Sequence, residues 1–228
     1  MTLARTLQAL ALVPVLALAS TSTLAQGDAV RGAGKAAMCI GCHGIVGYQA
    51  SFPEVYKVPM IAGQSAKYVG SALQAYAKGD RKHPTMRSIA ASLSEQDMAD
   101  LGAYYEQLGG AGSASVPATL AQPLPDALKD RMAACTACHG ANFSAPIDGS
   151  YPRLAGQHAD YLYAALRAYG TDGRALVGRS NAMMRGQVVQ ESEGQKKAVF
   201  SPTELRQIAA YLAGLPGQLQ VVPQSRLR

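Results

Sequence analysis

The sequence predicts an all-α protein of 228 residues built from two tandem copies of one small unit. Three observations predict it: landmarks that recur in the same order, helical stretches opened by serine caps, and one five-residue signature placed twice. Pro59-Met60-Ile61-Ala62-Gly63-Gln64 recurs as Pro152-Arg153-Leu154-Ala155-Gly156-Gln157, and Tyr68, Leu73 and Tyr76 then match Tyr161, Leu166 and Tyr169. Arg81-Lys82-His83-Pro84-Thr85-Met86 lines up with Arg179-Ser180-Asn181-Ala182-Met183-Met184.

Residues 1–25 have the pattern of a secretory signal: Arg5 precedes an apolar run from Leu7 to Leu18, and Thr23-Leu24-Ala25 offers small residues before a cut at Gln26. That run is too short to span a bilayer comfortably. The first unit is expected over 26–110, a proline-rich and glycine-rich linker over 111–124, and the second unit over 125–228. Each unit opens with a helix, about Asp28 to Ala37 and about Asp126 to Ala134. A second helix follows Gln64 or Gln157. A third starts at Ser94 with Asp97 three positions on, or at Ser201 with Pro202 and Glu204, and carries the apolar spacing Leu101, Tyr104, Leu108 or Leu205, Ile208, Leu215. No convincing alternating strand is present.

Cys39-Ile40-Gly41-Cys42-His43 and, 96 positions later, Cys135-Thr136-Ala137-Cys138-His139 consume all four cysteines. A Cys-x-x-Cys-His run is the attachment site of a c-type haem: two thiols add to the porphyrin vinyl groups and the adjoining imidazole reaches the iron. Two covalently bound haem c groups follow, held by Cys39, Cys42, Cys135 and Cys138. A thioredoxin-like reading leaves the twice-placed histidine unexplained. A zinc knuckle lacks ligands, since only His83 and His158 remain. Haem attachment also fits export, because bacteria perform it outside the inner membrane, and an 85-residue unit is marginal without a large apolar body in its core.

His43 and His139 supply proximal imidazoles, and the opposite ligand decides the chemistry. A thioether gives six-coordinate iron suited to electron transfer, whereas an open face suits peroxide chemistry. Met86 and Met184 each lie five positions after an arginine and just before another, Arg87 or Arg185. Met183 competes with Met184, and the arginine spacing favours Met184. Met38, Met98 and Met132 sit in expected helices and read as core packing, as does Met60, whose counterpart is Arg153. His83 aligns with Asn181 and His158 with Ser65, so both are assigned to the surface rather than to iron. The carbonyls of Pro59 and Pro152 are candidate acceptors for the histidines' second nitrogen. Arg153 and the arginines flanking the methionines are candidate partners for haem propionates.

The twin signatures, the duplicated Pro-x-(Ile/Leu)-Ala-Gly-Gln segments, the arginine-to-methionine run and the terminal helix with its tyrosine resemble cytochrome c4, the dihaem class I cytochromes c of bacterial periplasms. The resemblance spans about Asp28 to Leu215. It implies two tandem class I cytochrome c domains related by approximate two-fold symmetry, each covalently binding one haem c, with iron between His43 and Met86 and between His139 and Met184. It further implies electron carriage, without catalysis, from a quinol-oxidising cytochrome bc-type complex to a haem-copper oxidase, with at most loose attachment to the periplasmic face of the membrane. Two other roles stay open: the cytochrome subunit of a dehydrogenase oxidising sulfide or an alcohol, and a dihaem peroxidase.

Twenty-one basic and fifteen acidic residues give +6. The scattered pattern does not point to nucleic acid. The positive excess falls mainly in the second half, a candidate docking face. There the repeat is also uneven: seventeen positions separate Met184 from Ser201, against eight from Met86 to Ser94. The extra residues, around Gln190 to Lys197, are polar and expected at the surface.

Overall fold

In the computed structural model of the protein, which describes residues 26–110, 116–171 and 174–223, each repeat forms a small helical unit around its own apolar core. The expected signal at 1–25 and residues 111–115 of the expected linker lie outside the described residues.

The first unit contains helices α1 (Ala29–Lys35), α2 (Ala37–His43), α3 (Ala66–Lys78), α4 (Pro84–Ala91) and α5 (Glu95–Gly110). Asp28 starts α1 by accepting the N–H groups of Val30 and Arg31, donors that have no partner inside a helix. Ala36 makes a brief break, after which α2 carries the first haem signature. Ser65 caps α3, and left-handed Gly79 ends it. Helix α1 crosses α5 at Gly32, where an added Cβ would stand 2.1 Å from the Asp100 carbonyl oxygen. Asp100 locks that crossing: it accepts from Arg31 Nε at 2.8 Å and from the Asp28 N–H at 2.7 Å.

The second unit repeats the plan with α6 (Lys129–His139), α7 (Ala159–Tyr169), α8 (Ala182–Val188) and α9 (Pro202–Gly214). Ser201 and Glu204 close a capping box on α9, with Pro202 at the first helical position, as the sequence pattern predicts. Residues before α6 are tied to this unit: the Pro117 carbonyl accepts from Asn142 Nδ2 at 2.7 Å, and the Gln122 carbonyl from the Tyr211 hydroxyl at 2.8 Å.

Short strand pairs accompany the helices. Strands β1 (Gln49–Ala50) and β2 (Tyr56–Lys57) pair in the first unit, while β3 (Arg81–Lys82) pairs antiparallel with β4 (Gly178–Arg179) and joins the two units. The polar insertion is a hairpin, β5 (Val189–Ser192) with β6 (Gln195–Ala198). Its turn, Glu193-Gly194, has positive φ at both residues, the geometry that matches strand twist. Almost every hairpin residue is exposed, so no apolar alternation marks it in the sequence.

The short helices α4 and α8 were likewise not expected. Pro84 reads as a breaker in a non-helical run-up to Met86, but it occupies the first turn, where a missing N–H costs nothing. Beyond α9 the chain returns to the first unit. The Gln220 N–H donates to the Ala62 carbonyl at 3.1 Å, its side chain reaches the Leu108 carbonyl at 3.2 Å, and Val222 packs on the first core.

Candidate functional site

Helices α2 and α6 present the two signatures alike. Cysteines three apart and a histidine one further share a helical face, so all three side chains reach one region. No two of the four cysteines are bonded to each other. Burial pushes the Cys39 and Cys135 thiols up, so they are protonated rather than the low-pKa thiolates of a redox dithiol.

The histidine rings are held from behind. His43 Nδ1 lies 2.8 Å from the Pro59 carbonyl oxygen, and His139 Nδ1 lies 2.9 Å from that of Pro152. A carbonyl only accepts, so each Nδ1 carries the proton and each Nε2 keeps its lone pair for a metal. Burial lowers the pKa of both imidazoles, which keeps them neutral as a ligand requires. His139 Nε2 is buried and bonds to no other group among the described residues.

Helices α4 and α8 contribute to the same cavity as these rings. Met86 and Met184 occupy the same place, the third residue of a short helix, and each N–H is capped from three residues back: by His83 Nδ1 at 3.4 Å and by Asn181 Oδ1 at 3.0 Å. Met183 is 57% exposed, and its sulfur accepts from the Tyr151 hydroxyl at 3.7 Å. One cavity of about 640 Å³ is lined by both signatures, both proline carbonyl segments, Met86, and both Met183 and Met184. Its lining fits a large planar body with an apolar rim: each unit brings two thiols, an imidazole and a thioether to the same cavity.

The units meet where β3 pairs with β4, and Arg81, Arg179 and Tyr161 there line the same cavity. Arg81 and Arg179 face each other across β3 and β4, and both donate to the Tyr161 hydroxyl, at 3.2 and 3.1 Å. Each also lies against aromatic rings, Arg81 at 4.6 Å from the Tyr76 centroid and Arg179 at 5.5 Å from Tyr169. Burial alone would raise the Tyr161 phenol, but Arg179 and Arg81 beside it pull it down. Arg81 Nε is buried without a partner, and no carboxylate of the described residues forms an ion pair with either guanidinium. Two like charges gathered here suit the carboxylates of haem propionates.

Several expectations change. Arg153 donates through Nε and one terminal nitrogen to the carbonyls of Ser144 and Gly63 while lining the cavity, and Arg185 donates to the Tyr169 carbonyl at 2.9 Å. The arginines before the methionines, Arg81 and Arg179, meet at the joint. Met98 and Met132 are core residues, but Met38 is 47% exposed and lines the cavity. His83 and His158 are half-buried rather than at the surface: His83 caps α4 and sits edge-on to Tyr56 at 6.4 Å, and the His158 N–H donates to Gln157 Oε1 at 3.0 Å. The crossed contacts of Gln64 and Gln157 were missed, although both close the duplicated segment that flagged the repeat.

Two such sites in one helical chain define a dihaem c-type cytochrome. The cytochrome c family model matches residues 29–109 and again 129–216. Cytochrome c4 of Azotobacter vinelandii is 33% identical over 84% of this chain and 90% of its own length. The crystal structure of reduced recombinant cytochrome c4 from Pseudomonas stutzeri superposes with a TM-score of 0.56 at 28% identity, covering 83% of this chain and 99% of that one. A thiosulfate dehydrogenase electron acceptor from Thiomonas intermedia strain K12 is 28% identical over 72% of this chain and 76% of its own length. The chain belongs to the cytochrome c4 family of cytochromes c. It is a dihaem electron carrier with two covalently bound haem c groups.

Proposed function

We propose that the protein carries electrons in the bacterial periplasm from a quinol-oxidising cytochrome complex to a terminal oxidase, and catalyses no reaction of its own. In this reading Cys39, Cys42, Cys135 and Cys138 form the thioether bonds, His43 with Met86 hold one iron, and His139 with Met184 hold the other. The observation that carries it is the duplicated geometry, in each unit a histidine locked by a proline carbonyl and a methionine on a capped helix, all lining one shared cavity.

Haem supplies a one-electron Fe(III)/Fe(II) couple; the chain decides how that couple behaves. Neutral imidazole and thioether suit both oxidation states, so little rearrangement accompanies transfer. Rings held through Nδ1 cannot rotate, and the apolar cavity wall limits water at the metal. Phe52 lines the cavity and is exposed, and Val46 and Val55, in the same stretch of chain around β1 and β2, are exposed too, which supports contact with a protein partner. Among the described residues no helix is long and apolar enough to cross a membrane.

A second reading takes the electron donor to be a periplasmic dehydrogenase. The thiosulfate dehydrogenase electron acceptor relative favours it over the sulfide or alcohol enzymes considered from the sequence. The methionines that each unit brings to the cavity disfavour a peroxidase, which needs an open coordination site. An optical redox titration of the purified protein is expected to show two low-spin, six-coordinate haems. Rapid reduction by a quinol-oxidising complex supports the first donor, and rapid reduction only by thiosulfate with its dehydrogenase supports the second. A high-spin haem with peroxide turnover would overturn both.

A further inference from the structure

Gln64 and Gln157 close the two Ala-Gly-Gln turns, both 4% exposed, and each sends its side chain into the other unit. Gln157 Oε1 accepts the Met60 N–H at 3.0 Å, and its Nε2 donates to the Met60 carbonyl at 2.8 Å. Gln64 mirrors this: Oε1 accepts the Arg153 N–H at 2.9 Å and Nε2 donates to the Arg153 carbonyl at 3.1 Å. Met60 and Arg153 hold equivalent positions in the repeat, so the clasp is reciprocal.

The covalent connection behind the clasp matters most. The Met60 N–H belongs to the same peptide group as the Pro59 carbonyl, which grips the His43 ring at 2.8 Å. The Arg153 N–H likewise shares a peptide group with the Pro152 carbonyl, which grips His139 at 2.9 Å. Resonance joins the two ends of a peptide, so donation through its N–H enriches its oxygen, and hydrogen bonds in a chain polarise one another. Each glutamine thereby strengthens the acceptor behind the histidine of the opposite unit.

We propose that Gln64 and Gln157 are crossed positioning residues: Gln157 sets the reduction potential of the haem held by His43, and Gln64 that of the haem held by His139. The proposal rests on the reading of both histidines as iron ligands. A stronger acceptor at Nδ1 gives the ring more imidazolate character, which favours Fe(III) and lowers the potential. Losing a glutamine raises the potential of the opposite haem. The expected change is about threefold in the Fe(III)/Fe(II) equilibrium, about 28 mV at 59 mV per tenfold.

The test uses the full-length holoprotein and the variants Gln64→Leu and Gln157→Leu, with individual potentials followed through the haem methyl NMR signals of each unit. Gln157→Leu is expected to raise the potential of the first haem and to move the His43 Nδ1 proton upfield in the ferrous state, leaving the second haem within a third of that shift. Gln64→Leu is expected to do the converse. Gln64→Asn and Gln157→Asn keep the polarity but withdraw the amide by one methylene, and are expected to give the same crossed sign should the leucine variants fail to load haem. A shift on the haem of the substituted unit, equal shifts on both haems, or no shift overturns the proposal. A parent protein without two histidine-methionine spectra would instead overturn the ligand assignment beneath it.

Discussion

Replacing Arg179 with glutamine tests whether the joint between the units is built for negative charge. Arg81 and Arg179 donate to one phenol oxygen at 3.2 and 3.1 Å, so the donating nitrogens are no more than about 6 Å apart. At an effective dielectric constant of about 20, suited to half-buried groups, two like charges at that distance repel by about 3 kcal/mol. Losing the Tyr161 bond and the ring contacts of Arg179 costs about 1–2 kcal/mol. Without an anion in the joint, relief of repulsion is the larger quantity and the variant gains stability. With a propionate against the guanidinium, the substitution also forfeits about 4 kcal/mol of attraction. The expected balance is a net loss of about 2–3 kcal/mol, or a Tm lower by about 4–12 °C for a chain of this size. Thermal unfolding of the haem-loaded Arg179→Gln protein, followed by circular dichroism, reads the sign. An unchanged or raised Tm would refute the reasoning.

Met86→Ala and Met184→Ala are each expected to remove about half of the methionine-to-iron charge-transfer absorption and lower the potential of one haem. Met183→Ala should leave the spectrum intact; the opposite pattern would exchange the roles of Met183 and Met184. Asp100→Asn should lower the Tm at pH 7 by loosening the crossing of α1 and α5. The Arg31 guanidinium beside Asp100 holds its carboxyl well below the usual carboxylate range, so its contribution is fully present above about pH 4 and is lost as pH falls through the lower folded-state value. The Tm difference between parent and variant should therefore shrink steadily as pH falls below about 4 toward the folded-state value, and a difference that does not shrink over that range would contradict the ion-pair account.

Much of the site is legible in the chain because covalent chemistry is local. In this signature the two thiols that bond the porphyrin edge and the imidazole that reaches its iron lie within five residues, so Cys39 to His43 and Cys135 to His139 are visible without any fold. The methionines required the repeat, since a lone methionine ordinarily reads as core. Their setting was misjudged at Pro84, because helix and turn share proline as a first-turn residue and α4 and α8 are too short to show an apolar period. The hairpin at Val189 to Ala198 escaped for a related reason: its pairing is maintained by the turn rather than by burial.

The amino-acid order by itself determined the chemistry and its duplication: two haem signatures, two methionines in matching register, and capped helices to carry them. Only the tertiary structure decided how the copies serve one another. Gln64 and Gln157 cross into opposite units, Arg81 meets Arg179 over a shared phenol, and Gln220 returns to Ala62. Local spacing reports which groups share a helical turn, whereas contacts between residues about ninety or more positions apart depend on how two complete units dock, and no periodicity in the chain encodes that.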